Sequence, residues 1–168
     1  MKYVLLLRAV NLGATNKLAM KDLKELLEDL GHDDVKTFLN SGNATFTSTS
    51  RSPNKLADDV EKSLGSRLNL GVRACVRKAD DLHKVLDGLP DLPGYVAVTI
   101  LFDRPTAKAL REFLDTDWSP EVVKGNDQAL YVGFQNAAKT KLTNVKIEKA
   151  LGVGATARTP KTLAKLLA

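Results

Sequence analysis

The sequence predicts an α+β fold: two ferredoxin-like βαββα(β) halves with mainly antiparallel sheets, plus a C-terminal helix. Three observations carry this. Apolar runs of strand length alternate with segments of helical spacing in the order β-α-β-β-α-β over residues 1–78. Most of that order returns over residues 95–168. Each half also holds a turn rich in Asn and Gly between two extended runs, "NSGN" at 40–43 and "GND" at 125–127. Residues 79–94, a short helix and the proline-rich "LPDLPG", connect the halves.

Taken in order, "KYVLLLR" (2–8) reads as a buried first strand. Leu23, Leu26, Leu27 and Leu30 recur at helical spacing after Met20, with Gly31 placed to cap the C-terminus. "DVKTFLN" and "ATFTSTS" are the extended arms of the first hairpin. Ser52 and Pro53 open a helix carrying Leu56, Val60, Leu64 and Leu68 on one face, and "GVRACVRK" (71–78) is the closing strand. In the second half "YVAVTILFD" (95–103) is a strand, and Pro105 is expected to open a helix through Leu110, Phe113 and Leu114. "EVVKG" and "QALYVGF" form the second hairpin, and a helix is expected from about Thr140 to Leu151, ending at Gly152. A short extended piece and a last helix follow, with Thr159 as cap and Pro160 as first residue.

Composition excludes several classes. At 168 residues, 43% hydrophobic and 27% charged, the chain has the make-up of an ordinary globular protein. No apolar run approaches the roughly 20 residues needed to span a bilayer, so no membrane association is expected. The opening "MKYVLLLRAVNL" superficially resembles a signal peptide. It breaks at Arg8 without a small-residue cleavage site and reads as a strand. A single cysteine, Cys75, excludes an internal disulfide and fits a reducing cytoplasm. The net charge of +5 is unevenly placed. Residues 139–168 hold seven basic side chains against Glu148 alone, a net +6; the rest hold 18 basic and 19 acidic groups, a net −1. A basic segment of this kind attracts phosphates or merely solvates helix faces.

Most catalytic constellations are missing. His32 and His83 are the only histidines, each in a polar helix or loop context, and no cluster has metal-ligand spacing, so no metal is expected. Cys75, between Ala74 and Val76 in a strand, reads as a small buried apolar side chain. The pairs Asp33–Asp34, Asp58–Asp59 and Asp80–Asp81 suit helix starts and solvated faces. "GVGATA" (152–157) satisfies the dinucleotide fingerprint, but it follows a helix instead of a strand, so no cofactor is expected. Tyr3, Phe38, Phe46 and Tyr131 lack the arrangement that stacks RNA bases, and most of them read as core.

Two polar stretches remain. The loop after the first strand holds Arg8, Asn11, Gly13, Asn16 and Lys17, and a charged residue ending a buried strand must find a partner or water. The "NSGN" turn holds Ser41 and Asn43, residue types that ordinary hairpin turns also use. Sequence alone does not fix the distance between them.

These stretches resemble the DUF1697 family, small bacterial proteins of uncharacterised function, over nearly the whole chain. The family's opening L-R-G-I-N-V-G-G-x-N-K corresponds to "LLRAVNLGATNK", and its Y-x-x-S-G-N-V-x-F to "FLNSGNATF". Its late S-K-L corresponds to "TKL" (140–142), and its terminal R-N-W-N-T-V-x-K-L to "RTPKTLAKL" (158–166). Ala9 and Ala14 stand where the family has glycine, which tightens the loop, and Thr159, Pro160 and Lys161 replace N-W-N. Arg8, Asn11, Gly13, Asn16, Lys17, Ser41, Gly42, Asn43, Lys141, Arg158, Thr162 and Lys165 match. The resemblance implies two ferredoxin-like pieces and supplies no reaction, cofactor or catalytic residue.

The leading expectation is a protein that binds a phosphate-bearing small molecule or nucleic acid through Arg8, Lys17, Lys141 and Arg158, oriented by Asn11 and Asn43. Two alternatives stay open. One is a transferase or hydrolase acting on a small anionic metabolite by electrostatic positioning, and the other is a structural protein that self-associates through its sheets.

Overall fold

β1 (Lys2–Leu7) is the strand on which the first sheet is built, because every residue from Tyr3 to Leu7 is fully buried. The computed structural model describes residues 1–168. After β1 come α1 (Met20–Asp29), β2 (Asp33–Phe38), β3 (Asn43–Thr47), α2 (Pro53–Leu68), β4 (Ala74–Lys78) and α3 (Ala79–Asp87). The second series is β5 (Tyr95–Leu101), α4 (Ala107–Asp115), β6 (Val122–Gly125), β7 (Ala129–Phe134), α5 (Asn144–Leu151), β8 (Ala155–Arg158) and α6 (Pro160–Leu167). The chain divides into two compact units, residues 1–83 with 166–168, and residues 84–165.

Each unit holds one four-stranded antiparallel sheet, ordered β2-β3-β1-β4 in the first and β6-β7-β5-β8 in the second. Both are the split βαββαβ pattern. β8 completes the second one: the expected short extended piece pairs with β5, Val98 opposite Arg158 and Leu101 opposite Ala155.

In the first unit the odd-numbered residues of β1 meet the helices. Tyr3, Leu5 and Leu7 share a core with Leu23, Leu26 and Leu27 of α1 and with Leu56, Val60 and Leu64 of α2. Ser52 caps α2 by accepting the Lys55 N–H, and Pro53 occupies the first helical position, where its missing N–H costs nothing. Truncating a residue such as Leu5 in this core removes about 2–5 kcal/mol. The second core gathers Leu101, Leu130, Val132 and Ala155 of its sheet with Phe113 of α4 and Ile147 and Leu151 of α5.

Several boundaries differ from the sequence expectation. α5 begins at Asn144 and not near Thr140, because the Thr143 side chain accepts the Lys146 N–H and fixes the cap. Thr106 likewise caps α4, leaving Pro105 outside it. β4 starts at Ala74 and not at Gly71. Gly152 ends α5 in the left-handed conformation and donates to the Glu148 carbonyl, so "GVGATA" leads into a strand. His32, read as a polar loop residue, is buried. Its ring stacks on Phe46 at 4.5 Å, and neither nitrogen has a hydrogen-bond partner.

Candidate functional site

The two polar stretches of the first unit form one structure. β3 runs antiparallel to β1, which puts the start of β3 beside the end of β1, with Leu6 opposite Asn43. The Leu7 N–H donates to the Gly42 carbonyl at 2.8 Å, and the Arg8 N–H to the Arg73 carbonyl at 3.0 Å. The chain thus leaves the sheet between the hairpin and β4. Ala9, Asn11, Gly13 and Asn16 then all take positive φ, between 51° and 60°. Asparagine tolerates that region and alanine does not, so the strain falls on Ala9.

Asn11 organises this loop. Its Oδ1 accepts the Leu18 N–H at 2.8 Å, while Nδ2 donates to the Leu18 carbonyl at 2.8 Å and the Asn40 carbonyl at 2.6 Å. Asn16 Nδ2 donates to the Ala9 carbonyl. Asn43 is completely buried, and its amide group donates to the Phe38 carbonyl and to Ser41 Oγ. These asparagines are occupied in shaping loop and hairpin, and Asn43 has no surface with which to orient a ligand. Gly42 has φ 78°, and a Cβ there would lie 2.7 Å from Leu7 Cβ and from Val10 Cγ2. Lys17 is exposed on the outer side of the loop and Arg8 is half-buried at its root.

Of the four basic residues singled out, Arg8 and Lys17 belong to the first unit, Lys141 and Arg158 to the second. Arg158 folds back along its own strand, where Nη1 donates to Thr156 Oγ1 and the Ala157 carbonyl, both at 2.8 Å. Lys141 instead lines a groove of about 710 Å³, of which Arg158 is not a wall.

That groove is built by two loops of the second unit. One follows α4. There Thr116 Oγ1 donates to the Glu112 carbonyl, Asp117 accepts from the Ser119 hydroxyl and N–H, and the Ser119–Pro120 peptide is cis. The Ser119 hydroxyl, and after it the Ser119 N–H, hold the Asp117 carboxyl below its usual pKa. Trp118 donates its indole N–H to the Phe113 carbonyl at 2.8 Å and packs on the Phe113 ring at 4.9 Å. The second loop links β7 to α5. The Asn136 side chain accepts the Ala138 N–H and its carbonyl accepts the Lys139 N–H, Thr140 Oγ1 accepts the Leu142 N–H, and buried Leu142 anchors the run.

Lys139, Lys141 and Lys146 thereby line one recess, and none of the three is ion-paired. The Lys146 ammonium lies 5.5 Å from the centre of the Trp118 ring, a cation–π arrangement. Glu121 lines the same groove at 8% exposure, and its Oε1 receives one long contact, 3.4 Å, from the Gln135 N–H. Three cations therefore stand against two carboxylates. Sequence reasoning named only Lys141 here as a site residue. Trp118 was open to notice as the one tryptophan, seven residues before the second hairpin turn, but nothing in the sequence marks Glu121 as buried.

The structure defines an α+β protein of two βαββαβ units, with no helix long and apolar enough to cross a membrane. The chain belongs to the DUF1697 family, described as proteins of unknown function, whose family model matches residues 1–131. The late stretches 140–142 and 158–166 lie beyond that match. A solved structure of the conserved bacterial protein SP0830 from Streptococcus pneumoniae is similar, with a TM-score of 0.73 over 99% of this chain and 96% of that one. Its sequence is 24% identical, a likeness of fold alone. No curated protein matches the chain.

Proposed function

We propose that this protein binds a small phosphate-bearing anion in the groove of its second unit. The observation that carries this reading is the presence of Lys139, Lys141 and Lys146 around one recess, none of them neutralised by a carboxylate partner. Its volume of about 710 Å³ falls within the range typical of small-molecule sites, roughly 300–1,000 Å³. Ammonium groups grip phosphate oxygens as point charges, and their attraction strengthens in a recess that partly excludes water. The net +6 of residues 139–168 adds a longer-range field of the same sign.

Trp118 is the only tryptophan in the chain and stands in the groove, so its fluorescence reports occupancy directly. Titration with inorganic pyrophosphate is expected to change that emission saturably, with affinity falling as salt rises. An emission that stays flat through millimolar pyrophosphate at low salt contradicts the reading. The same titration with a short single-stranded RNA tests for a nucleic acid as the source of the phosphates. Three lysine contacts give a slope of log affinity against log salt of about −2.

A further inference from the structure

Lysines alone do not account for this groove, because Glu121 is set into its wall. At 8% exposure Glu121 as a whole is largely buried in that wall. Its only hydrogen bond is the 3.4 Å contact from the Gln135 N–H to Oε1, and no cation pairs with it. A carboxylate can accept several hydrogen bonds, and one long contact leaves most of that acceptor capacity open to a ligand. A purely anionic ligand would bring like charge toward Glu121. The occupant that suits all the walls is bipolar, with phosphate for the lysines and N–H donors for the carboxylate.

Trp118 narrows the class. Its ring borders the same recess, supported by Phe113 at 4.9 Å, and carries the Lys146 ammonium 5.5 Å from its centre. A flat heterocycle replaces that ammonium on the ring and frees Lys146 to reach a phosphate. A planar ring with N–H donors on one edge, joined to phosphate, is a nucleotide. Among the bases only guanine presents two parallel donors, N1–H and the N2 amino group, on a single edge. A carboxylate is acceptor-only with two oxygens, the complementary pattern. Adenine and cytosine each set a ring-nitrogen acceptor beside their amino group, which would face one carboxylate oxygen with a lone pair. Hypoxanthine keeps N1–H but lacks the amino group.

We infer that Glu121 is a base-recognising residue and that the groove accepts a guanine nucleotide, its base edge on Glu121 beside Trp118 and its phosphates on Lys139, Lys141 and Lys146. This rests on the anion-site reading above and adds the identity of the ligand's other end. Free nucleotide and the guanine of a single-stranded RNA offer the same chemistry, and a guanine-containing oligonucleotide competing with the free form separates the two sources.

The test is calorimetric titration of the intact protein with GDP, IDP, ADP, CDP and inorganic pyrophosphate. GDP is expected to bind about tenfold or more tightly than IDP or ADP, the worth of one charge-assisted hydrogen bond. In Glu121→Gln, checked for an unchanged melting profile, that preference is expected to collapse while pyrophosphate binds at least as well as before. If pyrophosphate binds and the four nucleotides are indistinguishable in the unaltered protein, the guanine assignment is overturned and the anion site stands. If none of the five binds, both fall. If phosphoethanolamine outcompetes GDP and depends on Glu121, the carboxylate receives an ammonium group and the nucleotide assignment is wrong.

Discussion

Replacing Asn11 by alanine is expected to cost the first unit about 3 kcal/mol. Three hydrogen bonds disappear: the Leu18 N–H to Oδ1 and the two donations from Nδ2, to the Leu18 and Asn40 carbonyls. At about 0.5–1.5 kcal/mol net for each, with the exposed Asn40 contact at the low end, they contribute about 2 kcal/mol. The backbone adds a second part. Asn11 has φ 54°, and alanine held in the left-handed region costs about 1 kcal/mol. Asn11→Gly loses the hydrogen bonds without the strain but loosens the unfolded chain by about 0.5 kcal/mol, so about 2.5 kcal/mol is expected. Urea unfolding followed by far-ultraviolet circular dichroism measures both. With a slope of about 1–3 kcal/mol/M, the alanine variant's midpoint falls by about 1–3 M. An alanine variant within about 0.5 kcal/mol of the unaltered protein would refute the view that Asn11 holds loop and hairpin together. A glycine variant clearly more damaged than the alanine one would refute the strain assignment.

Ala9, at φ 57° where the family pattern has glycine, leads to the opposite prediction: Ala9→Gly stabilises by about 0.5–1 kcal/mol, relief of strain outweighing the looser unfolded chain. Gly42→Ala is expected to destabilise by more than about 2 kcal/mol in the same urea assay, because its new Cβ would lie 2.7 Å from Leu7 and Val10 side-chain atoms. His32 predicts a pH dependence. Burial lowers its pKa below 6.5, outweighing the nearby Asp59 and Asp33 charges, so the folded protein resists a proton that the unfolded chain accepts. This contribution is complete above pH 6.5 and is lost as pH falls below it, at up to about 1.4 kcal/mol per pH unit. His32→Phe, which keeps a ring against Phe46, removes that slope, and an equally steep slope in the variant would contradict the assignment.

The fold was legible wherever local chemistry decides it. Ser52–Pro53, Thr159–Pro160 and Gly152 mark helix ends through caps and φ preferences that need no tertiary partner. The continuous apolar run of β1 marks a central strand, because such a strand has no solvated face to alternate with. Boundaries failed where two local signals compete. Thr140 and Thr143 are both plausible caps, and only the placement of Leu142 in the core selects the second. The groove was less legible still. Residues 116–121 and 135–142 meet only after the adjacent strands β6 and β7 pair, and the burial of Glu121 and His32 depends on what the sheets bring over them. The union of the loop at 8–17 with the turn at 40–43 likewise awaited the β1–β3 register.

The central claim is that the groove around Trp118 holds a phosphate-bearing ligand. The most direct measurement is a two-dimensional ¹⁵N–¹H spectrum of the protein titrated with pyrophosphate. Saturable shifts are expected only at the Trp118 indole N–H and the amides of residues 117–121 and 135–146, and they are expected to vanish in a Lys139→Ala, Lys141→Ala double variant. Shifts absent from these resonances, or spread evenly over exposed lysines throughout the chain, would contradict it.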